Sequence, residues 1–478
     1  MSEAAAPALA RVIADFAAAV RYEDVPPSVL DQAKLLILDA LGIATASTTF
    51  PFAKSASAAM QSFGAGDQPV IGLALRLGLR DAAMLNGLLI HGLDYDDTHL
   101  AGVVHVSATA LPTALGIASL RHLSGRDLLL GYVLAVEVAG RIGAAAGGGF
   151  HRAGFHPTGV AGAFGCAVAA ARLDAMSAEE IATAQGFAGS LASGTLEFTE
   201  RGAWTKRAHA GWAAVCGITA AAFARQGFVS PDHVYEGRFG LFRTHLPDGE
   251  LADLDALTRG LGEQWQIPEV AIKLYPSCHF THAFIDAALE LIRAESLSAD
   301  DIATVTCLIH RDAVPVVCEP RASKLVPQTD YEAKFSLPFV VAATFVHGRF
   351  SLNELDDSAL RDPRVLDLAA RITDRDDPLS GYPHAYSGEL VVRTTSGREL
   401  RHREQINRGA IERPISAADV VEKFVANVEL AGIGSSDARR MINAVVSLDD
   451  CDNAAVFAEM MSGEGARPQS GKLQVTRA

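Results

Sequence analysis

The sequence predicts a mainly α protein interrupted by one mixed α+β insertion. Three observations carry this. Roughly the first 265 residues are dominated by segments with apolar residues three and four apart, the spacing of amphipathic helices. Residues 302–310 (IATVTCLIH) and 389–401 instead alternate and are rich in β-branched side chains. Helical spacing then returns over 417–429 and 435–446. The result is an all-helical domain formed by 1–267 plus 405–478, with a mixed domain inserted at 268–404.

The elements follow in order. Residues 5–21 place Ala, Val, Ile and Phe at helical spacing. Pro26-Pro27-Ser28 reads as a helix entry, because the first turn does not need proline's missing N–H. Val29–Ala46 continues that helix. Segments 80–95, 107–122, 127–144, 159–173, 178–194 and 209–227 repeat the pattern, rich in the Ala and Gly that let helices approach closely. Short polar turns join them, which favours a bundle. In the insertion, 302–310 reads as a strand and Val314–Val317 as a second short run. Glu389–Thr394 and Arg398–Arg401 flank Thr395-Ser396-Gly397 as a hairpin. Tyr331–Val346 and Ser358–Ile372 read as helices. The tail Ser462–Ala478 is small and polar and is expected to fray.

The chain has 478 residues, with 41 Lys+Arg against 56 Asp+Glu and a formal net charge of −15. Nucleic acid and anionic membrane are poor partners for such a chain, because phosphates want clustered cations. A small anionic ligand stays open, since a local pocket can override the global field. Six cysteines are scattered without a C-x-x-C pair, which argues against a disulfide framework and suits a reducing compartment. The N-terminus lacks a basic region followed by an apolar run. No uninterrupted apolar stretch reaches the ~18–20 residues of a membrane helix. A cytoplasmic location is the expectation.

Four segments concentrate chemistry. In His91-Gly-Leu-Asp94-Tyr-Asp96-Asp97-Thr98-His99, helical geometry puts His91, Asp94 and Thr98 on one face. His105 follows, and Ser107 is placed to cap the next helix. A carboxylate beside imidazoles orients the ring and raises its basicity, as proton transfer needs. Three aspartates and three histidines also raise a metal reading, but no H-E-x-x-H or D-D-x-x-D spacing supports it, so no metal ligand is assigned. In Gly147-Gly-Gly-Phe-His151-Arg152-Ala-Gly-Phe-His156-Pro157-Thr158, a helix begins at Pro157, and its free N–H groups would favour an anion near His156 and Thr158. Trp204-Thr-Lys206-Arg207-Ala-His209 brings positive charge ahead of an Ala-rich helix, with Lys206 suited to a carboxylate. Lys273-Leu-Tyr-Pro-Ser-Cys278-His279-Phe-Thr-His282 adds a lysine, two histidines and an i, i+4 Cys278–His282 pair. Walker and Rossmann fingerprints are absent; the glycines at 147–149 follow no strand. The inventory suits proton transfer on a small polycarboxylate.

The order and wording of L-D-A-L-G, H-G-L-D-Y-D-D-T-H, V-V-H-V-S-A-T-A-L-P, G-F-H-P-T-G, W-T-K-R-A-H-A-G and Y-P-S-C-H-F-T-H resembles the MmgE/PrpD family. That family includes 2-methylcitrate dehydratase, cis-aconitate decarboxylase and iminodisuccinate epimerase. The resemblance runs from about residue 5 to 460 and is specific for the family rather than the reaction. It implies a large all-helical domain, a smaller α+β lid domain, a homodimer, and no metal or organic cofactor. By motif position it implies catalytic roles for Asp94, His105, His156, Lys206 and His282. It implies substrate contacts for Thr98 and Lys273; His91 and Thr158 join them from their own segments. There are two departures. The loop from Thr98 to His105 is one residue longer than in the decarboxylase branch, and Phe339 stands where that branch has a tyrosine. The missing hydroxyl lowers the decarboxylase reading relative to dehydratase or isomerase; a 2-methylcitrate dehydratase-like lyase is the expectation, with cis-aconitate decarboxylase or iminodisuccinate epimerase-like activity as the alternative. Two readings of other classes are a metal-dependent hydrolase or lyase on Asp94, Asp96 and Asp97, and a catalytically silent helical dimer that binds a ligand.

Overall fold

The computed structural model describes residues 7–199, 203–382 and 385–463. Most of the tail whose fraying is expected, 464–478, lies outside the described residues. The chain opens with α1 (Leu9–Ala19), α2 (Pro27–Ser47) and α3 (Pro51–Gln61). A small antiparallel hairpin follows, β1 (Gln68–Val70) and β2 (Leu73–Leu77). Then come α4 (Leu79–His91), the two-residue strand β3 (Thr98–His99), α5 (Val106–Leu120), α6 (Gly125–Ala146), α7 (Gly149–Arg152), α8 (Pro157–Leu173), α9 (Ala178–Ala188), α10 (Thr205–Arg225) and α11 (Leu241–Thr244). Pro27 and Pro157 each stand in a first turn, as their ring geometry favours.

After β4 (Val270–Ala271), which pairs with β3, the character changes. The segment contains α12 (His282–Glu295), β5 (Ile302–Ile309), α13 (Val314–Val317), α14 (Arg321–Leu325), α15 (Asp330–Lys334), α16 (Leu337–His347), α17 (Pro363–Ala369), β6 (Ile372–Asp376), β7 (Gly388–Thr394) and β8 (Glu399–Glu404). The sheet order is β6-β5-β7-β8, with β5–β6 parallel and the other pairs antiparallel. Helices α18 (Ala417–Leu430), α19 (Ser435–Val446) and α20 (Ala454–Met461) close the chain. Two apolar cores result. One is built from α1–α10 together with α18–α20. The other joins residues 275–392 around the four-stranded sheet.

Several expectations are corrected. Val314–Val317 is one helical turn, not a strand. The helix read over 331–346 is broken at Phe335-Ser336, because Pro338 needs a first turn and Ser336 caps it. Ile372 starts a largely exposed parallel strand rather than ending a helix. The helix read over 178–194 stops at Ala188, and that read over 80–95 stops at His91. Helix α6 is long and apolar enough to cross a membrane, yet it is almost wholly buried in the protein. Its Glu137 and Arg141 satisfy each other at 2.6 Å.

One crossing positions the site. Helices α4 and α10 meet where Gly87 faces Gly211; a Cβ added to Gly87 would stand 2.6 Å from the Gly211 Cα, and one on Gly211 would strike the Met84 carbonyl. This close approach sets the N-terminal turn of α10 against the C-terminal end of α4. Gly211→Val is therefore expected to lower unfolding stability by about 1–3 kcal/mol through overpacking against backbone. Chemical denaturation checks this; wild-type stability would contradict the crossing.

Candidate active site

The site begins where α4 ends. Gly92 follows His91, and Asp94 adopts φ +52°, a left-handed conformation that no α-helix accommodates but that Asp tolerates better than most residues. His91, Asp94 and Thr98 therefore do not share a helical face. The helix end instead leaves four successive backbone carbonyls without helical partners, and each accepts from a buried cation. Arg207 Nε donates to Gly92 at 2.6 Å, Lys334 Nζ to Leu93 at 2.7 Å, Lys273 Nζ to Asp94 at 3.0 Å, and Lys423 Nζ to Tyr95 at 3.0 Å. Cations at a helix C-terminus satisfy its orphan carbonyls and its negative dipole end together.

The Asp94 side chain meets Lys206 Nζ at 2.5 Å and Lys273 Nζ at 3.6 Å. Burial opposes ionisation of Asp94, but the two lysines and the neighbouring imidazoles outweigh it and hold the carboxyl well below the usual range. Arg207 lies between the rings of Phe52 (4.5 Å) and Tyr331 (4.7 Å), and its two terminal nitrogens have no hydrogen-bond partner among the described residues. Burial pushes the Lys334 ammonium down to about 8.

Three imidazoles converge beside this cation cluster. His91, His105 and His156 each offer one nitrogen, and the three lie within 4.8 Å of one another. His91 Nδ1 pairs with Asp96 at 2.8 Å, while its Nε2 is buried and unpartnered among the described residues. Burial works against Asp96, yet His91 and His105 hold its carboxyl low. His105 Nδ1 donates to the Asp97 carbonyl at 2.8 Å, which leaves Nε2 as the lone-pair nitrogen of the neutral ring. Burial holds His105 and His156 well below the ordinary imidazole value. His156 Nδ1 lies 3.2 Å from His209 Nδ1.

The loop between Thr98 and His105 is tight. Val103 takes φ +52°, costly for a β-branched residue, and Gly102 packs against Gly143 of α6. Thr98 Oγ1 stands 3.4 Å from His105 Nδ1, and Thr158 Oγ1 accepts from the His105 N–H at 3.0 Å. Thr158 therefore props His105. Ser107 does not cap α5; it lies inside the helix and bonds Asp97, whose carboxyl burial pushes up to about 7.

The structure thus gathers His91, Asp94, Thr98, His105, His156, Thr158, Lys206 and Lys273, all buried. His282 sits one layer behind. Its Nε2 faces the Ser277 carbonyl at 3.2 Å, and its ring packs on His279 at 4.7 Å. His279, which sequence reasoning passed over, has both nitrogens unpartnered among the described residues and feels Lys273, His105 and Asp94. Cys278 is a partly buried thiol whose proton is held on chiefly by desolvation, not a thiolate partner for His282. Arg207, Lys334, Lys423 and His209 were also missed as site residues. Phe339 is wholly buried in the second core. Tyr331 places beside Arg207 a buried hydroxyl that has no hydrogen-bond partner among the described residues.

The three aspartates do not form one donor group. Among the described residues, the sets with metal-holding spacing here are His91/His105/His156 and His91/Asp94/Asp96. A surface cleft of about 900 Å³ along Phe50, Lys54 and Leu73 contains none of these side chains.

Comparison with known proteins agrees along most of the chain. Residues 11–253 match the MmgE/PrpD N-terminal domain and residues 275–450 the MmgE/PrpD C-terminal domain. The chain is 26% identical to the cis-aconitate decarboxylase-like protein oryM of Aspergillus oryzae, over 93% of this chain and 95% of that protein. It is 28% identical to the cis-aconitate decarboxylase of Homo sapiens, over 91% and 90% of the two chains. A cis-aconitate decarboxylase of Aspergillus terreus is 26% identical over 76% and 77%. With both domain models matched in order across a helical core and a sheet-containing core, the chain belongs to the MmgE/PrpD family.

Proposed function

We propose that the chain is a cofactor-independent lyase acting on a small di- or tricarboxylate. The observation that carries this reading is the enclosed trio of imidazole nitrogens within 4.8 Å, set against Lys206, Lys273 and Arg207. Loss of a proton and loss of CO₂ leave the same species, an electron pair on carbon next to a carboxylate. That charge needs fixed cations in a site closed to water. A neutral imidazole then takes the proton, or an imidazolium returns one to carbon. His105 and His156 are the proton carriers; His105 Nε2 is free for the role because its Nδ1–H is already donated to a backbone carbonyl. Lys206 and Lys273 hold substrate carboxylates, and Asp94 keeps both ammonium groups in place. The segment containing the sheet acts as the lid and supplies His279 and Lys334, and a second copy of the chain is the expected partner.

For the net reaction, decarboxylation of a cis-aconitate-like acid leads. The relatives carry that activity in their names; a 2-methylcitrate dehydratase is the second reading, supported by Phe339 standing where the decarboxylase branch has a tyrosine.

Proton NMR in D₂O with cis-aconitate, 2-methylcitrate, citrate and iminodisuccinate, run with and without EDTA, checks the reading. CO₂ loss from cis-aconitate, unaffected by chelator, is expected. Water loss from 2-methylcitrate would reassign the lyase, and dependence on added metal would overturn the cofactor-independent chemistry. Lys206→Met is expected to raise KM and to lower kcat/KM by about 10²–10³-fold; an unchanged KM would remove its carboxylate role. Because burial depresses His105 and His156, they stay neutral as pH falls to the ordinary imidazole value of about 6.5. Where the reaction removes a proton from carbon, the acid limb of kcat/KM is therefore expected below that pH, and a limb above 6.5 would contradict a depressed base.

A further inference from the structure

We propose that His209 is the proton relay between His156 and solvent, an assignment that rests on the proton-transfer reading above. His156 is 2% exposed, whereas His209 is only partly buried. Their Nδ1 atoms face each other at 3.2 Å, with ring centroids 5.3 Å apart. Two neutral imidazoles in this arrangement share one proton, so one ring donates and the other accepts. Burial holds both rings below the usual imidazole range, His209 to about 4, so neither stores the proton for long.

The chain builds a slot for this ring. His209 lies on α10 one turn beyond Lys206, which fixes it relative to Asp94. Gly194 lines the slot at φ +127°, where a Cβ would stand 3.1 Å from the His209 ring. The Gly194 carbonyl also accepts the His156 N–H at 2.8 Å, so one residue positions both imidazoles. Phe198 closes the slot edge-on to both rings.

The proton count balances. At the start His156 holds Nδ1–H and donates it to His209 Nδ1, while His209 holds Nε2–H. A proton taken from carbon onto His156 Nε2 makes that ring an imidazolium. Its Nδ1–H passes to His209 Nδ1, and His209 releases Nε2–H to water. Both rings end neutral, and His156 now carries Nε2–H, so it has changed from base to acid without rotating. The reverse sequence brings one proton from water to the carbon that has lost CO₂.

The test compares wild type, His209→Asn and His209→Ala in D₂O, following turnover and deuterium entry into the same panel of acids. His209→Asn keeps a hydrogen-bonding side chain that carries no proton. It is expected to leave KM within about twofold and to lower kcat and deuterium entry by about tenfold or more. Imidazole and methylimidazole buffers are expected to restore His209→Ala in proportion to their basicity, a response that filling a structural hole does not give. Variants that match wild type in weak buffer overturn the relay alone. So does a loss in both variants that no buffer restores. A wild type that turns over and exchanges none of the acids overturns the functional reading and the relay with it.

Discussion

Four consecutive carbonyls, Gly92 to Tyr95, each held by a cation from a different stretch of chain, are the constraint on which the site depends. A buried helix end is costly unless its carbonyls find donors. Here the donors also generate the electrostatics the chemistry needs. The same array holds Asp94 in its left-handed turn, while Lys206 and the array's Lys273 keep its carboxylate ionised despite burial. Fold stability and site preparation are in this place one set of contacts.

Opposite demands are met a few ångströms apart. The carboxylates Asp94 and Asp96 stay charged because cations and imidazoles surround them. The imidazoles of His105 and His156 stay neutral because burial costs them more than Asp96 returns, or because lysines stand nearby. Groups pushed apart in this way are the arrangement expected of an acid–base site. The acid Asp97 is held by Ser107, which in turn meets Tyr132 at 2.5 Å, and its backbone carbonyl fixes the tautomer of His105.

Much of this was legible in the sequence. Helical periodicity found most of the long helices, and clustered motifs named eight of the side chains that meet. The failures have physical causes. A left-handed Asp94 leaves no mark beyond the glycine before the turn. Lys334 and Lys423 are single lysines in helices, a pattern that ordinarily means solvent; only tertiary structure turns them onto carbonyls. In C-H-F-T-H the choice between His279 and His282 is made by a 3₁₀ turn over His279–Thr281 that spacing does not reveal. Ile372–Asp376 is a mostly exposed edge strand with charged side chains, so it lacks the alternation that betrays half-buried strands.

The packing of α18 on α2 has a further meaning for biosynthesis. Lys423, on α18, caps Tyr95 and pairs with Asp39 of α2 at 2.7 Å. A ribosome releases the histidine segments long before it releases residue 423. Until then the first core lacks a helix and Asp39 lacks its counter-ion. The emerging polypeptide therefore cannot present a finished acid–base centre until α18 has left the ribosome.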